Sequence, residues 1–254
     1  MKRSLGNWKR ISSSRQMIVD LMYFSTSLPL VAMERTMRLK NVLDARERHP
    51  ERPPWTALFA KGFGLVAREI AQLRQVYIGI PTPRIFEYHE SVVSIAYELN
   101  VEGEAIVLPV RIRHPDQVPL TGFRFKLDEM RDGYLARRGF YRILMILGCF
   151  PNVIRRAIWW IALNIPHLRK RFFGTFVITS VGFQGAAMLN PIAPFTSLLT
   201  YGPIQSDGEL TVRLVFDHRL YDGVTAARAL ARLEELLNGS ICDELNAHRQ
   251  GHSF

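Results

Sequence analysis

Cysteine is scarce in this 254-residue chain. Cys149 and Cys242 are the only two, which excludes a disulfide framework, and no Cys/His group has the spacing of a zinc site, so no metal is expected. A reducing, cytoplasmic setting follows from that usage. Linkers of low complexity and internal repeats are also missing, which removes solenoids and makes one α/β domain over residues 1–254 the simplest division. The Gly-x-Ser-x-Gly turn of the simplest serine hydrolases does not occur. A membrane-spanning run is lacking too: the strongly apolar stretches 143–154 and 157–168 are each 12 residues without a charge, against the ~18–20 a spanning helix needs. The basic amino terminus (Lys2, Arg3, Lys9, Arg10) has no apolar segment directly behind it and does not read as a secretory signal.

Positive charge, by contrast, is plentiful: 33 Lys and Arg stand against 23 Asp and Glu, a net +10. It is concentrated. Between Arg131 and Arg171 nine basic residues accompany one acid, Asp132, so these 41 residues carry +8 of the total. An anionic partner is expected. A nucleic-acid surface spreads its basic residues over a polar face, whereas here they bracket apolar runs, so nucleic acid is disfavoured. Two readings of the 131–171 insert remain. Its helices lie in a membrane interface, with Arg155 and Arg156 at headgroup level and Trp159 and Trp160 as anchors, or they wall an apolar pocket inside the fold. Pro151 and Pro166 are expected to break its helical pattern.

Elsewhere the periodicity predicts helices over 12–23, 41–48, 55–73, 121–137 and 224–237, the last stopped at Asn238–Gly239. Strands are expected over 28–39, 91–99, 104–113, 175–180, 195–201 and 210–218, with a turn at 100–103 and a break at Pro81 and Pro83.

Two motifs stand out. Residues 62–67 fit the dinucleotide pattern Gly-x-Gly-x-x-Ala but lie inside a predicted helix instead of between a strand and a helix, so packed helix glycines explain them better. His49, His89, His114, His167, His248 and His252 lack partners at metal or triad spacing. His218 differs. In Phe-Asp-His-Arg-Leu-Tyr-Asp-Gly (216–223) it closes a strand, Asp222 and Gly223 follow at once, and an amphipathic helix begins.

That segment resembles the active-site signature of the catalytic domain of dihydrolipoyl acyltransferases, the core components of 2-oxoacid dehydrogenase complexes. The shorter His-x-x-x-Asp-Gly form is shared with chloramphenicol acetyltransferase and peptide-synthetase condensation domains. The likeness extends along the chain. Ile11-Ser-Ser-Ser-Arg15 with Ile18 and Met22 is similar to the family's opening helix, and 55–73 to its second. Gly174-Thr-Phe-Val-Ile-Thr-Ser-Val-Gly182 with Asn190-Pro191 is similar to its Gly-Thr-Phe-Thr-Ile-Ser stretch. The resemblance implies a chloramphenicol acetyltransferase-like two-layer α/β fold, a mixed sheet covered by helices, to which the 131–171 insert is added. No lipoyl domain, lipoyl attachment site or peripheral-subunit-binding domain is expected.

What the resemblance implies chemically is acyl transfer from a thioester to a thiol, hydroxyl or amine. His218 would be the general base, which a neutral imidazole can be near pH 7. Thr179 would donate to the oxyanion, with Ser180 as the neighbouring alternative. Asp222 would hold the catalytic loop through an ion pair with Arg15, and Gly223 would allow the tight turn into the helix. The implied partners are acyl-coenzyme A or an acidic acyl carrier protein as cosubstrate, with no covalently bound cofactor, and two further copies in a homotrimer or a larger assembly. An anionic membrane surface is the other partner that the insert suggests. The alternative is a trimeric scaffold that keeps the fold without the chemistry.

Overall fold

A computed structural model describes residues 7–101, 104–137 and 146–247. Of the expected features, the tip of the 100–103 turn, residues 138–145 of the insert, and His248 and His252 lie outside them.

Helix α1 (Ser13–Ser25) starts where the Ser12 hydroxyl accepts the Arg15 amide, a side-chain N-cap. Strand β1 (Leu30–Arg38), α2 (Lys40–Arg48) and α3 (Trp55–Glu69) follow. The predicted helix 55–73 ends four residues early, and a 3-10 turn (Ala71–Arg74) leads into a hairpin of β2 (Gln75–Ile78) and β3 (Arg84–Glu87). Only the break at Pro81 and Pro83 had been expected there. The hairpin β4 (Val92–Val101) and β5 (Glu104–Arg113) precedes α4 (Leu120–Arg137).

In the insert, Pro151 caps α5 (Asn152–Asn164) and Pro166 is the first residue of α6 (Pro166–Phe173). The helical pattern is broken at both prolines, as expected, and each proline also opens the helix that follows, because the first turn has no use for the amide that proline lacks. Strands β6 (Phe176–Thr179), β7 (Ser197–Tyr201) and β8 (Glu209–Asp217) lead to α7 (Gly223–Leu236). Backbone angles leave the helical range at Gly239, as the sequence suggested, but the chain then resumes as α8 (Cys242–Ala247).

One six-stranded sheet runs in the order β1-β8-β7-β6-β4-β5, with β6 parallel to β4 and β7 and the other pairs antiparallel. One face of it carries Ile95, Phe176, Ile178, Leu199, Leu214 and Phe216 into the main core. Helix α3 lies on that face, buried almost all round, and α7 packs Ala226, Ala229, Leu230 and Leu233 against it at helical spacing. A side chain on Gly62 would meet Leu233 at 2.9 Å, and one on Gly64 would meet Pro115 at 2.9 Å. Those glycines permit close helix packing, so the dinucleotide-like pattern is structural.

Among the described basic residues of the insert, Arg155, Arg169 and Lys170 are paired within the protein and Arg156 is partly so. Arg155 is buried and donates to Asp20 (2.6 Å), Gln16 (2.9 Å), the Phe150 carbonyl (2.8 Å) and Asn152 (3.1 Å). Arg156 lies 3.6 Å from the other Asp20 oxygen. Arg169 donates to the carbonyls of Leu163 and Pro194, and Lys170 to Glu90. Trp159 packs on Phe173 with ring centres 5.4 Å apart, whereas Trp160 is exposed. The expectation of Arg155 at a headgroup and Trp159 as an anchor is therefore corrected: both face inward and fasten α5 to α1 and α6.

Candidate active site

Strand β8 ends on Asp217, level with Leu30 of β1, and the amide of His218 donates to the Pro29 carbonyl at 3.1 Å. The two charged neighbours of the histidine are paired with each other. Asp217, 1% exposed, accepts from the Arg219 amide (3.1 Å), Nε (2.9 Å) and Nη2 (2.6 Å). The Arg219 guanidinium lies over Tyr77 at 4.2 Å. A bidentate, stacked arginine fixes geometry that a lysine would not. Behind it, Tyr221 stacks on Phe216 (4.7 Å) and bonds to Ser197 (2.8 Å), both hydroxyls being buried. This clamp was in the quoted motif but its roles were not read. The signal was the acid and arginine on either side of the histidine, and their mutual bond needed coordinates.

The His218 side chain stands exposed, beside Phe216 (6.0 Å) and without a hydrogen bond among the described residues. Its backbone is held while its imidazole is free.

Asp222 caps α7, accepting the Thr225 amide at 2.9 Å. That bond, first, and the nearby His218 hold its carboxyl below the ordinary aspartate value. The expected ion pair with Arg15 is not made: Arg15 is exposed on α1 and has no side-chain partner among the described residues. Within one chain, Asp222 supports the loop through the helix cap alone. Gly223 is likewise corrected. It is the first residue of α7 with no unusual φ, so turn geometry does not require glycine, and a Cβ there would meet the flexible end of Met33, Cε, at 3.2 Å.

The cap makes a pH prediction. A depressed carboxyl contributes stability above its unfolded value and loses it as pH falls through the folded one. Asp222→Asn, which keeps the acceptor, is expected to match the wild-type Tm at neutral pH and to lack that acid-side step. Asp222→Ala should melt lower at neutral pH. Thermal melts across acid pH check this.

The two candidate hydroxyls are resolved by their surroundings. Ser180 Oγ donates to the Tyr201 carbonyl (2.8 Å) and accepts from the Gly182 amide (3.1 Å), which ties down the turn after β6. Thr179, at the end of β6, is partly exposed and its hydroxyl makes no hydrogen bond among the described residues. Next to it in register, Thr200 has a buried hydroxyl with no partner. Thr179→Ala is expected to lower turnover by about 10²–10³-fold, the usual cost of one oxyanion donor, and Thr179→Ser to restore most of it. Ser180→Ala should cost stability, about 1 kcal/mol, more than rate. Steady-state kinetics and melts on the three variants separate these outcomes.

Register shows that one chain does not assemble the pair. Thr179 is level with Thr200, and Thr200 with Arg213 on β8. His218 lies five residues further along β8, at the opposite end of the sheet and two strands across. At ~3.4 Å per residue and ~4.8 Å per strand, the two are on the order of 15–20 Å apart. A base and an oxyanion donor acting on one carbonyl must each come within about 3 Å of the reacting group. Within one chain, therefore, the two side chains do not reach one carbonyl together.

A six-stranded mixed sheet, helices over its core face and a histidine at the end of β8 define the α/β fold of acyltransferase catalytic cores of the 2-oxoacid dehydrogenase type. No protein-family model matches the chain. Among solved structures it is similar to a probable dihydrolipoamide acetyltransferase from Listeria monocytogenes 4b F2365, at 18% identity and TM-score 0.68, over 92% of this chain and 94% of that one. The dihydrolipoamide acetyltransferase of Azotobacter vinelandii gives 17% identity and TM-score 0.68 over 93% of both chains. In that enzyme a serine, a histidine and an asparagine have been investigated for catalysis, the last two spaced as His218 and Asp222 are here. The cubic core of a pyruvate dehydrogenase multienzyme complex gives 16% identity and TM-score 0.67 over 93% of both chains.

Proposed function

We propose that the protein is an acyltransferase that moves an acyl group from a thioester, acyl-coenzyme A or an acyl carrier protein, to a thiol, hydroxyl or amine. The observation that carries this reading is the exposed, unbonded imidazole of His218 on a backbone clamped by Asp217–Arg219. His218 accepts the proton of the acceptor as its heteroatom attacks the thioester carbonyl. Thr179 of a neighbouring copy donates to the oxyanion. The carbon–sulfur bond then breaks, and the imidazolium returns its proton to the departing thiolate, so no covalent acyl-enzyme is needed. The distance between His218 and Thr179 within one chain supports an interfacial site, and a homotrimer is the assembly that the resemblance implies. A scaffold without chemistry would gain nothing from leaving both the imidazole and the Thr179 hydroxyl unbonded.

Two measurements test this. A panel of acyl-coenzyme A and acyl-carrier donors, followed by mass spectrometry, should show acyl transfer by the wild type. Transfer from none of them overturns the activity. Mixing His218→Ala and Thr179→Ala subunits, after dissociation and reassembly, should recover part of the wild-type rate, because some interfaces then pair an intact histidine with an intact threonine. No recovery from correctly reassembled mixtures overturns the shared site.

A further inference from the structure

The inward face of α5 is accounted for by Arg155, Trp159 and Leu163. Its outward face is not. Val153, Ile154, Ile158, Trp160, Ile161 and Ile165 are all exposed, from 38% at Ile158 to 79% at Val153. They form two adjoining rows at helical spacing, where a solvent-facing helix would carry polar side chains. Beside them, α1, which packs on α5, exposes Ile18, Val19 and Tyr23. A contiguous apolar surface of this kind marks a contact site.

The charge around it has one sign. Residues 7–29 and 146–195, which contain α1, α5 and α6, hold eight Lys or Arg and a single acid, Asp20. Asp20 is fully buried between Arg155 and Arg156, so these described segments present no exposed carboxylate. The cations they leave outside beside α1 are Lys9, Arg10 and Arg15, all exposed, and Arg156, partly exposed and stacked on Tyr23 at 3.9 Å; Arg171 lies in a groove with Arg111, Arg113, Lys126 and Glu129. A second copy of the same face would bring these cations against one another with no acid to answer them. Aliphatic rows, an exposed Trp and Tyr, and the cations of α1 and the residues before it match the interface of an anionic bilayer. No helix among the described residues is long and apolar enough to cross a membrane. The 13-residue α5, ~20 Å long, would therefore lie in the plane of the surface.

We propose that the α1–α5 face docks the protein on an anionic lipid bilayer, with the Ile154–Ile158–Ile161–Ile165 row and Trp160 inserted at the headgroup boundary. The buried Asp20–Arg155 pair serves this docking twice: it fastens α5 to α1, and it removes the surface's one negative charge. The inference does not depend on acyl transfer, so His218→Ala should bind vesicles as the wild type does.

The test is co-sedimentation of the full chain with vesicles of phosphatidylcholine containing about one-third phosphatidylglycerol, and with phosphatidylcholine alone, at low and high salt. The wild type should bind the anionic vesicles at least ~10-fold better than the neutral ones, and high salt should weaken that binding. Ile158→Glu/Ile161→Glu, both at exposed positions, should lose at least ~10-fold in binding while keeping the wild-type Tm and oligomeric state. Arg10→Glu should lose less, and only at low salt. Absence of wild-type binding at low salt overturns the proposal, as does equal binding by the double glutamate variant. If that variant instead changes the oligomeric state with vesicle binding unaltered, a second copy covers the face and the proposal fails. If its Tm falls, the single variants Val153→Glu and Ile165→Glu, at the ends of the helix, give the same readout. Retention of full binding by both then overturns the proposal.

Discussion

His218→Ala is expected to lower the rate of acyl transfer by about 10²–10⁴-fold, the range that a positioned general base supplies, with little change in Tm. The expectation of intact folding is specific. The imidazole makes no hydrogen bond among the described residues, and the segment is held by the His218 backbone amide, the Asp217–Arg219 clamp and the Tyr221–Ser197 bond, all of which alanine leaves in place. Rate and stability should therefore part company at this position. An Arg219→Lys variant provides the contrast: it loses the bidentate clamp and should lower rate and Tm together. Kinetics and melts on the two variants decide the matter. Unchanged transfer by His218→Ala would remove the histidine from the mechanism.

Asp20→Ala is expected to be the most destabilising single change outside the core, at about 3–5 kcal/mol, since it leaves the buried Arg155 cation without its carboxylate. For a chain of this size that corresponds to a drop in Tm of about 6–20 °C. Arg155 keeps its neutral acceptors on Gln16, Phe150 and Asn152, but none carries charge, and Arg156 loses its counter-ion as well. Replacing the pair together, Asp20→Leu with Arg155→Met, should recover most of the loss, because apolar residues of similar volume avoid the desolvation cost of both ions. A thermal melt checks both variants. A shift below ~2 °C for Asp20→Ala would mean that α5 is not fastened through this pair.

Much of the frame was legible because its signals are local. The helical spacing of 12–23 and 224–237 and the strand pattern of 210–218 are each contained within one element, and periodicity reports them directly. The β2–β3 hairpin was missed because its strands are four residues each, too short for alternation to register. The prolines of the insert were legible as breaks, because proline disfavours a helix interior, but the sequence alone does not say that each also opens the next helix. Among the site residues, His218 was found through its motif, while Ser180 and Thr179 were separable only once their hydrogen bonds were seen. The Arg15–Asp222 pair, expected from the resemblance, gave way to the Thr225 cap.

The sequence by itself determined that the chain is an α/β acyltransferase-like frame with a histidine at a strand end, and that its excess charge sits in one apolar segment. Both are linear facts: a motif of eight residues, and a run of 41 residues with one acid. Only the tertiary structure decided what becomes of them. A carboxylate more than a hundred residues away along the chain pairs with the buried Arg155 and fastens one face of α5 inward. Register across three strands places Thr179 at the opposite end of the sheet from His218. Neither could be read from composition or periodicity, because ion pairing and strand register are set by which distant segments share the core.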